Sequence, residues 1–248
     1  MLYITLNRPA RRNALDWDAW VAFSEAWNRL IVDDEVWVGV VRGAGEQAFS
    51  AGADLKAIPA QIAERRAQGD PNPIPPMAFN TETCPKPVVA AINGDALGGG
   101  LELALACDLR IAAEHARFGL PEAKWGGLPG AGGTQRLPRT VPAAIALEVM
   151  FTGRFLSAAE ALEVHLVNRV VAADQLDGAV DTLVEQLLAM SPVALRAIKR
   201  AVLRGLDGAL GDGLRFEQEV LDELMSTQDY RNGVGSFAEG RTPQWVGR

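Results

Sequence analysis

Apolar positions in this chain alternate between two spacings, strand-like and helix-like, as far as about position 175. "LYITLN" (2–7) alternates as a short strand does and ends at the turn "NRPARRN". From Ala14 to Asp34 the spacing is helical. Trp20, Phe23, Trp27 and Leu30 fall on one stripe, which predicts core packing for these side chains. "VWVGVVRG" (36–43) is a β-branched run suited to a buried strand, and "FSAGADLKAI" (49–58) follows as a turn opening into a helix. Residues 57–80, ending in the proline-rich "GDPNPIPPM", read as a loop with the character of a mobile lid. "KPVVAAING" (86–94) is a second buried strand. It runs into "GDALGGGLELALACDLR" (94–110), where three glycines stand directly ahead of an apolar helix. "LRIAAEHARFGLPE" (109–122) gives a short strand and a turn, and "GLPGAGGTQRLPRTVP" (127–142) a glycine-rich loop leading into the helix "AAIALEVMF". "FLSAAEALEVHLVNRVV" (155–171) gives a helix and a strand, and from Gln175 onward the pattern is almost wholly helical. Strands alternating with helices, then a helical tail, predict an α/β core with a C-terminal helical appendage.

Length and composition narrow the function classes. A chain of 248 residues makes one large domain or two small ones, and 48% hydrophobic with 22% charged residues is ordinary for a globular protein. A net charge of −7 argues against a nucleic-acid-binding surface, while leaving room for a local basic pocket for a phosphorylated ligand. The two cysteines, Cys84 and Cys107, make neither a disulfide framework nor a metal-ligand spacing, which fits a reducing compartment. The N-terminus places apolar residues before arginines, the reverse of a secretory signal. Asn93, Asp95, Glu102 and several glycines interrupt the most apolar stretch, Pro87 to Cys107, so no membrane span is expected. The expectation is a soluble, cytoplasmic protein.

Several catalytic kits are missing. His115 and His165 stand beside no other ligand type or nucleophile, so a His-based triad or metal site is not expected and both read as structural. No G-x-S-x-G elbow and no Gly-Lys pair of a P-loop occurs, and "GDALGGG" and "GAGGTQ" fail the spacing of a dinucleotide fingerprint. Any acid–base chemistry must rest on carboxylates.

Three segments join a turn to a helix start: "SAGADLK", "ALGGGLE" and "GLPEAKWG". Glycines let backbone N–H groups approach a ligand, and helix starts leave such donors unpaired, so two converging N–H groups could form an oxyanion hole. For any single glycine, plain turn geometry is the competing explanation. Glu102 lies among leucines, where an ionised carboxylate is costly unless it is paired or its proton is used. A salt bridge to a distant arginine is the alternative. Glu122, after Pro121, could simply complement a helix dipole.

Taken together, the segments resemble the crotonase family, the enoyl-CoA hydratase/isomerase superfamily. The resemblance runs in order through "ITLNRPARRNAL", "FSAGADLK", "KPVVAAINGDALGGGLELALACDLRIA", "FGLPEAKWGGLPGAGGTQRLPR", "EALEVHLVNRVV" and "DYRNGVGSFAEGRTPQW", essentially the whole chain. It implies a spiral of ββα units over residues 1–190, carrying an acyl-CoA site. Residues 191–248 would be a helical oligomerisation region serving a homotrimer or a dimer of trimers. It further implies that the backbone N–H groups of Ala53 and Gly99 grip the thioester oxygen. Glu102 would activate a water for attack at C3, and Glu122 would protonate C2. By the same resemblance, Gly98 belongs to the oxyanion turn and the Gly130 backbone helps hold the water. Ala51, Asp54, Leu55 and Lys56 line the CoA adenine segment, Arg12 and Lys56 lie near CoA phosphates, and Arg241 reaches a neighbouring subunit's CoA. Trp125 is either a wall of the acyl pocket or core packing. No metal is implied, and no cofactor beyond the coenzyme A of the substrate.

The chain begins nearly at "ITLNRP", where family members have a further strand or hairpin, so the expectation is a truncated start or a missing edge strand. Two glutamates favour 2-enoyl-CoA hydration over double-bond isomerisation, for which one suffices. A non-catalytic acyl-CoA- or RNA-binding protein of the same fold is the third reading, disfavoured by the acidic charge and the intact pair.

Overall fold

Strands that are apolar on both faces, each followed by a helix instead of a hairpin, pair in parallel and are covered on both sides. The computed structural model, which describes residues 1–77, 79 and 84–248, follows this rule. Strand β1 (Leu2–Leu6) leads to helix α1 (Trp17–Val32). Then a unit of two strands and a helix recurs. It comprises β2 (Gly39–Gly43), β3 (Ala48–Ser50) and α2 (Ile58–Ala67), then β4 (Val88–Ile92), β5 (Asp95–Leu97) and α3 (Gly99–Ala106). The third comprises β6 (Leu109–Ala113) and β7 (Arg117–Gly119), followed by a 3-10 turn (Glu122–Trp125) and α4 (Gly133–Thr140). The first strand of each unit joins a parallel sheet of order β1-β2-β4-β6-β9, and the second joins a sheet of order β3-β5-β7-β8. This is the ββα spiral implied by the resemblance. Helix α5 (Ala143–Thr152), β8 (Leu156–Ser157), α6 (Ala158–Glu163) and β9 (Arg169–Val171) complete the sheets.

Alternate residues of the first sheet enter two separate cores, as period-two side chains must. Val40, Val89 and Ile111 pack with Leu176, Val180 and Val184 of α7 (Leu176–Leu188). Val41, Val88 and Ala90 face the larger core, which contains Trp20, Phe23, Trp27 and Leu30, so the aromatic stripe of α1 is core as expected. Three helices close the chain: α8 (Pro192–Leu206), α9 (Leu210–Met225) and α10 (Gln228–Ala238). Lys199 ties α8 to the sheet through Asp108, whose carboxylate also accepts from Val88 N–H. Buried Asp229 accepts from Ser191 Oγ and from the N–H groups of Val246 and Gly247, clamping the C-terminal residues onto the start of α8.

Three readings need correction. Residues 57–80 are not loop throughout, because Ile58–Ala67 form α2. Pro59 in its first turn suits a helix start, and Ile58 and Ile62, four apart, both join the core. Residues 78 and 80 of that stretch lie outside the described residues. "GLPGAGGTQRLPRTVP" is likewise not all loop. Gly133–Thr140 are helical with Pro138 inside, near enough the C-terminal end to cost little continuation, and Leu137 is fully buried. "PEAKW" is only one 3-10 turn, stopped by Gly126 in the left-handed region.

Candidate active site

Strands β3, β5 and β7 are parallel neighbours, so the turns at their C-terminal ends emerge on one edge. Residues 51–53, 98–99 and 120–122 meet there. Gly52 (φ +83°) and Gly98 (φ +54°) sit where side-chain-bearing residues are rare, and a Cβ on Gly52 would stand 2.6 Å from Gly99 N. The first two turns therefore touch backbone to backbone. A Cβ on Gly99 would lie 3.6 Å from Ala53 N, which puts the two N–H groups of the expected oxyanion hole at one place. Bonds from Leu15 N to Gly52 O and from Asp54 N to Leu15 O hold Ala53 in position. Neither the Ala53 nor the Gly99 N–H finds an acceptor among the described residues.

Glu102 is on the first turn of α3, 3% exposed. Its Oε1 accepts from Ala131 N at 2.7 Å and Gly133 N at 2.8 Å, charge-assisted bonds that offset part of the cost of burial. Burial raises the carboxyl above its usual range, while these two N–H groups and the charge of Arg136 pull it back. Among the described residues Glu102 makes no direct salt bridge to an arginine, and backbone donors do the work that the competing explanation assigned to one.

Glu122 is half-buried at the start of the 3-10 turn, and its Oε1 lies 3.2 Å from where a Gly98 Cβ would be. Its Oε2 is buried with no hydrogen-bond partner among the described residues. Burial above all, with the nearby Glu102 charge adding to it, pushes this carboxyl up to about 7. Gly98 links the pair, because its carbonyl accepts from Glu102 N and its N–H donates to Gly119 O beside the Glu122 turn. One glutamate is thus held by N–H donors that favour its anion, and its neighbour is left in surroundings that favour the protonated form.

The other expected residues divide. Arg12 and Ala51 are adjacent, joined by a bond from Ala51 N to Arg12 O, and the exposed Leu55 and Lys56 follow the Ala53 turn. The Asp54 side chain pairs with Arg8 and accepts from Lys56 N. Trp125 is 77% exposed, which excludes core packing. Gly130 is exposed, and the loop's N–H donors to Glu102 come from Ala131 and Gly133. Arg241 is exposed and its side chain bonds Glu239 and Asn232 within the C-terminal region, with no bond to the site elements among the described residues. Ala131, Gly133 and Arg136 were not anticipated. The signal for Gly133 is only its place in the glycine-rich run "GAGG". Ala131 carries no signal, since it acts only through its backbone.

Two ligand-sized clefts, of about 530 Å³ between β1 and α1 and about 610 Å³ between α8 and α9, contain neither glutamate. The site is therefore defined by its converging donors and carboxyls, not by cavity size. No group of three or more metal-ligating side chains occurs among the described residues, and no helix there is long and apolar enough to cross a membrane.

Comparison with known proteins agrees with this geometry. A family profile described as enoyl-CoA hydratase/isomerase matches residues 1–248. The (E)-benzylidenesuccinyl-CoA hydratase of Thauera aromatica is 40% identical over 247 residues, spanning 99% of this chain and 95% of its own. The short-chain-enoyl-CoA hydratase of Clostridium acetobutylicum is 38% identical over 240 residues, spanning 96% and 91%. The crystal structure of an enoyl-CoA hydratase from Mycobacterium tuberculosis H37Rv superposes with a TM-score of 0.90 at 34% identity, covering 100% of this chain and 96% of that one. Fold, paired carboxyls and sequence agree: the chain belongs to the enoyl-CoA hydratase/isomerase family.

Proposed function

We propose that this protein hydrates the C2=C3 double bond of a trans-2-enoyl-CoA to a 3-hydroxyacyl-CoA. The observation that carries the reading is the asymmetric pair: Glu102 held by two N–H donors, and Glu122 with a buried oxygen free to carry and deliver a proton. In the proposed step Glu102 takes a proton from water as its oxygen bonds to C3. The π electrons move toward the thioester, whose oxygen receives the Ala53 and Gly99 N–H groups, and C2 takes the Glu122 proton. One oxyanion donor of this kind contributes about 3–4 kcal/mol to such a step. The pair ends with its proton moved from Glu122 to Glu102, and exchange with solvent resets it. Backbone, side chains and the substrate's own coenzyme A suffice. On this reading exposed Arg12 and Lys56 would take the CoA phosphates, and exposed Leu55, Trp125 and Leu128 would offer apolar surface to an acyl chain. A trimer or dimer of trimers remains our proposal for the assembly, supported by the exposed stripe Ile198, Val202 and Leu206 on α8.

The test is loss of enoyl-thioester absorbance with crotonyl-CoA and longer 2-enoyl-CoAs. Hydration of at least one chain length is expected. No turnover of any would sink the hydratase reading, and turnover only of 3-enoyl-CoAs would replace it with isomerisation.

The pair also sets a pH dependence. Glu102 must be ionised, so kcat/KM falls as pH drops through its raised pKa. Glu122 must be protonated, so kcat/KM falls again as pH rises through about 7. A bell-shaped profile is expected. A flat profile from pH 6 to 9 would remove Glu122 as the proton donor.

A further inference from the structure

Glu102 receives its hydrogen bonds from a glycine-rich loop, which by composition has little stiffness of its own. Something must hold Ala131 and Gly133 with their N–H groups aimed at one oxygen. Arg136, on the first turn of α4, is the side chain placed to do so. Its side chain turns back along the helix, and one guanidinium nitrogen donates to Ala131 O at 3.0 Å. The other donates to Phe79 O at 3.1 Å. Ala131 is thus held from both sides, its carbonyl by Arg136 and its N–H by Glu102. Phe79 is itself fixed, 2% exposed, stacked on Trp20 and edge-on to Phe23 in the aromatic core of α1. The guanidinium therefore ties the loop to Phe79, whose ring is seated in that aromatic core.

We propose that Arg136 is a positioning residue for Glu102: it fixes the loop whose N–H groups hold the carboxylate, and its positive charge keeps Glu102 ionised while Glu122 carries the proton. The proposal rests on the hydratase reading for its catalytic consequence, though not for its electrostatics.

The charged groups around Glu102 show which of them acts on it. On the elements around Glu102, α4 contributes Arg136 and the 3-10 turn contributes Glu122. Arg139 of α4 is exposed and bonds Gln135 instead, and Lys124 of the 3-10 turn lies over the Phe155 ring. On the second sheet, Asp95 and Arg117 pair with each other, and β3 is uncharged. Just past the end of α3, the buried Cys107 thiol is pushed up to about 12 and stays neutral. Among the described residues Arg136 is thus the cation whose field lowers the Glu102 carboxyl, and the two groups reinforce each other's charged forms.

The test compares Arg136→Gln and Arg136→Lys with the unmodified protein in two readouts. In the first, the acid limb of kcat/KM on crotonyl-CoA should move up by about one pH unit in Arg136→Gln, because the nearby positive charge is lost. At pH 7 kcat should fall about tenfold, with KM within about threefold, as for a group that acts on the transition state through another. Arg136→Lys keeps the charge but not the two-pronged bond, so its acid limb should stay near the original while kcat drops. The second readout is the titration of Glu102 itself, followed by carbon NMR with labelled glutamate carboxyls and assigned with Glu102→Gln. It should show the same upward shift in Arg136→Gln without any substrate. A chain that turned over no enoyl-CoA would fail the hydratase reading and leave this readout able to decide the Arg136 proposal. A kcat loss uniform in pH, with the Glu102 titration unmoved, would overturn the proposal and leave Arg136 a scaffold residue. If Arg136→Gln does not fold, Arg136→Lys decides: a displaced limb or an unchanged kcat overturns the proposal.

Discussion

Glu102→Gln and Glu122→Gln each lower kcat for crotonyl-CoA hydration by at least about 10²-fold, with CoA binding largely kept. That loss raises the barrier by about 2.7 kcal/mol. The substitution suits the site because it changes proton chemistry and little else. In Glu102→Gln the amide oxygen can still accept from Ala131 and Gly133, so the loop keeps its place while the base is gone. In Glu122→Gln the side chain still fits against Gly98, whose missing Cβ makes room for it, but no carboxyl proton remains to deliver to C2. Steady-state kinetics, with CoA binding measured separately by calorimetry, checks both. Near-normal hydration by either variant would remove that residue from the mechanism. If only Glu122→Gln were silent, the single-glutamate chemistry of an isomerase would become the better reading.

Gly100→Ala is expected to damage both stability and activity. A Cβ there would stand 2.1 Å from the Ser50 carbonyl oxygen and 2.8 Å from its carbon, distances that backbone atoms cannot accept. Ser50 cannot move away, because it is fully buried, its Oγ donates to Asn13 O and accepts from Gly52 N, and Asn13 is itself buried and bonded to Ala44 and Ala48 carbonyls. The helix must lift off β3 instead. Such overpacking costs about 3 kcal/mol, the upper part of its usual range. For a chain of this size that is a Tm loss of about 6–12 °C. Lifting α3 also carries the Gly99 N–H away from Ala53, so kcat falls by more than KM changes. Differential scanning calorimetry beside kinetics tests this. A Tm within about 2 °C of the original, with unchanged kcat, would mean that α3 is not seated on β3 as described.

How much of this was legible from residues alone differs by element. The stripe of α1 and the buried strands "VWVGVVRG" and "KPVVAAING" could be read because burial imposes a period on the sequence itself. Helix α4 was missed because Pro138 and a run of glycines carry the local signals of a loop, while its seating depends on Leu137 in the core and on Glu102. Ile58–Ala67 is half legible: the turn at 49–58 reads as opening into a helix, while the proline-rich segment beyond hides how far that helix runs. Trp125 shows the reverse case. An indole one turn past a glutamate suggests core or pocket wall, yet on its short 3-10 turn it stands 77% exposed and is not core.

The sequence by itself determined most of the order of strands and helices, the glycines that let two turns approach, and the presence of one carboxyl, Glu102, in apolar surroundings with a second, Glu122, at a turn. Those are local properties, written in spacing, hydropathy and residue size. Which carboxyl holds the proton was decided only by the tertiary structure. Glu102 lies between two leucines and Glu122 between Pro121 and Ala123, and neither set of neighbours says which carboxyl keeps its proton. What separates them is that Ala131, Gly133 and Arg136 arrive at one from some thirty residues away, while Glu122 Oε2 is left without a donor among the described residues. Backbone N–H groups carry no residue identity, and a charge acts through distance in space and not along the chain.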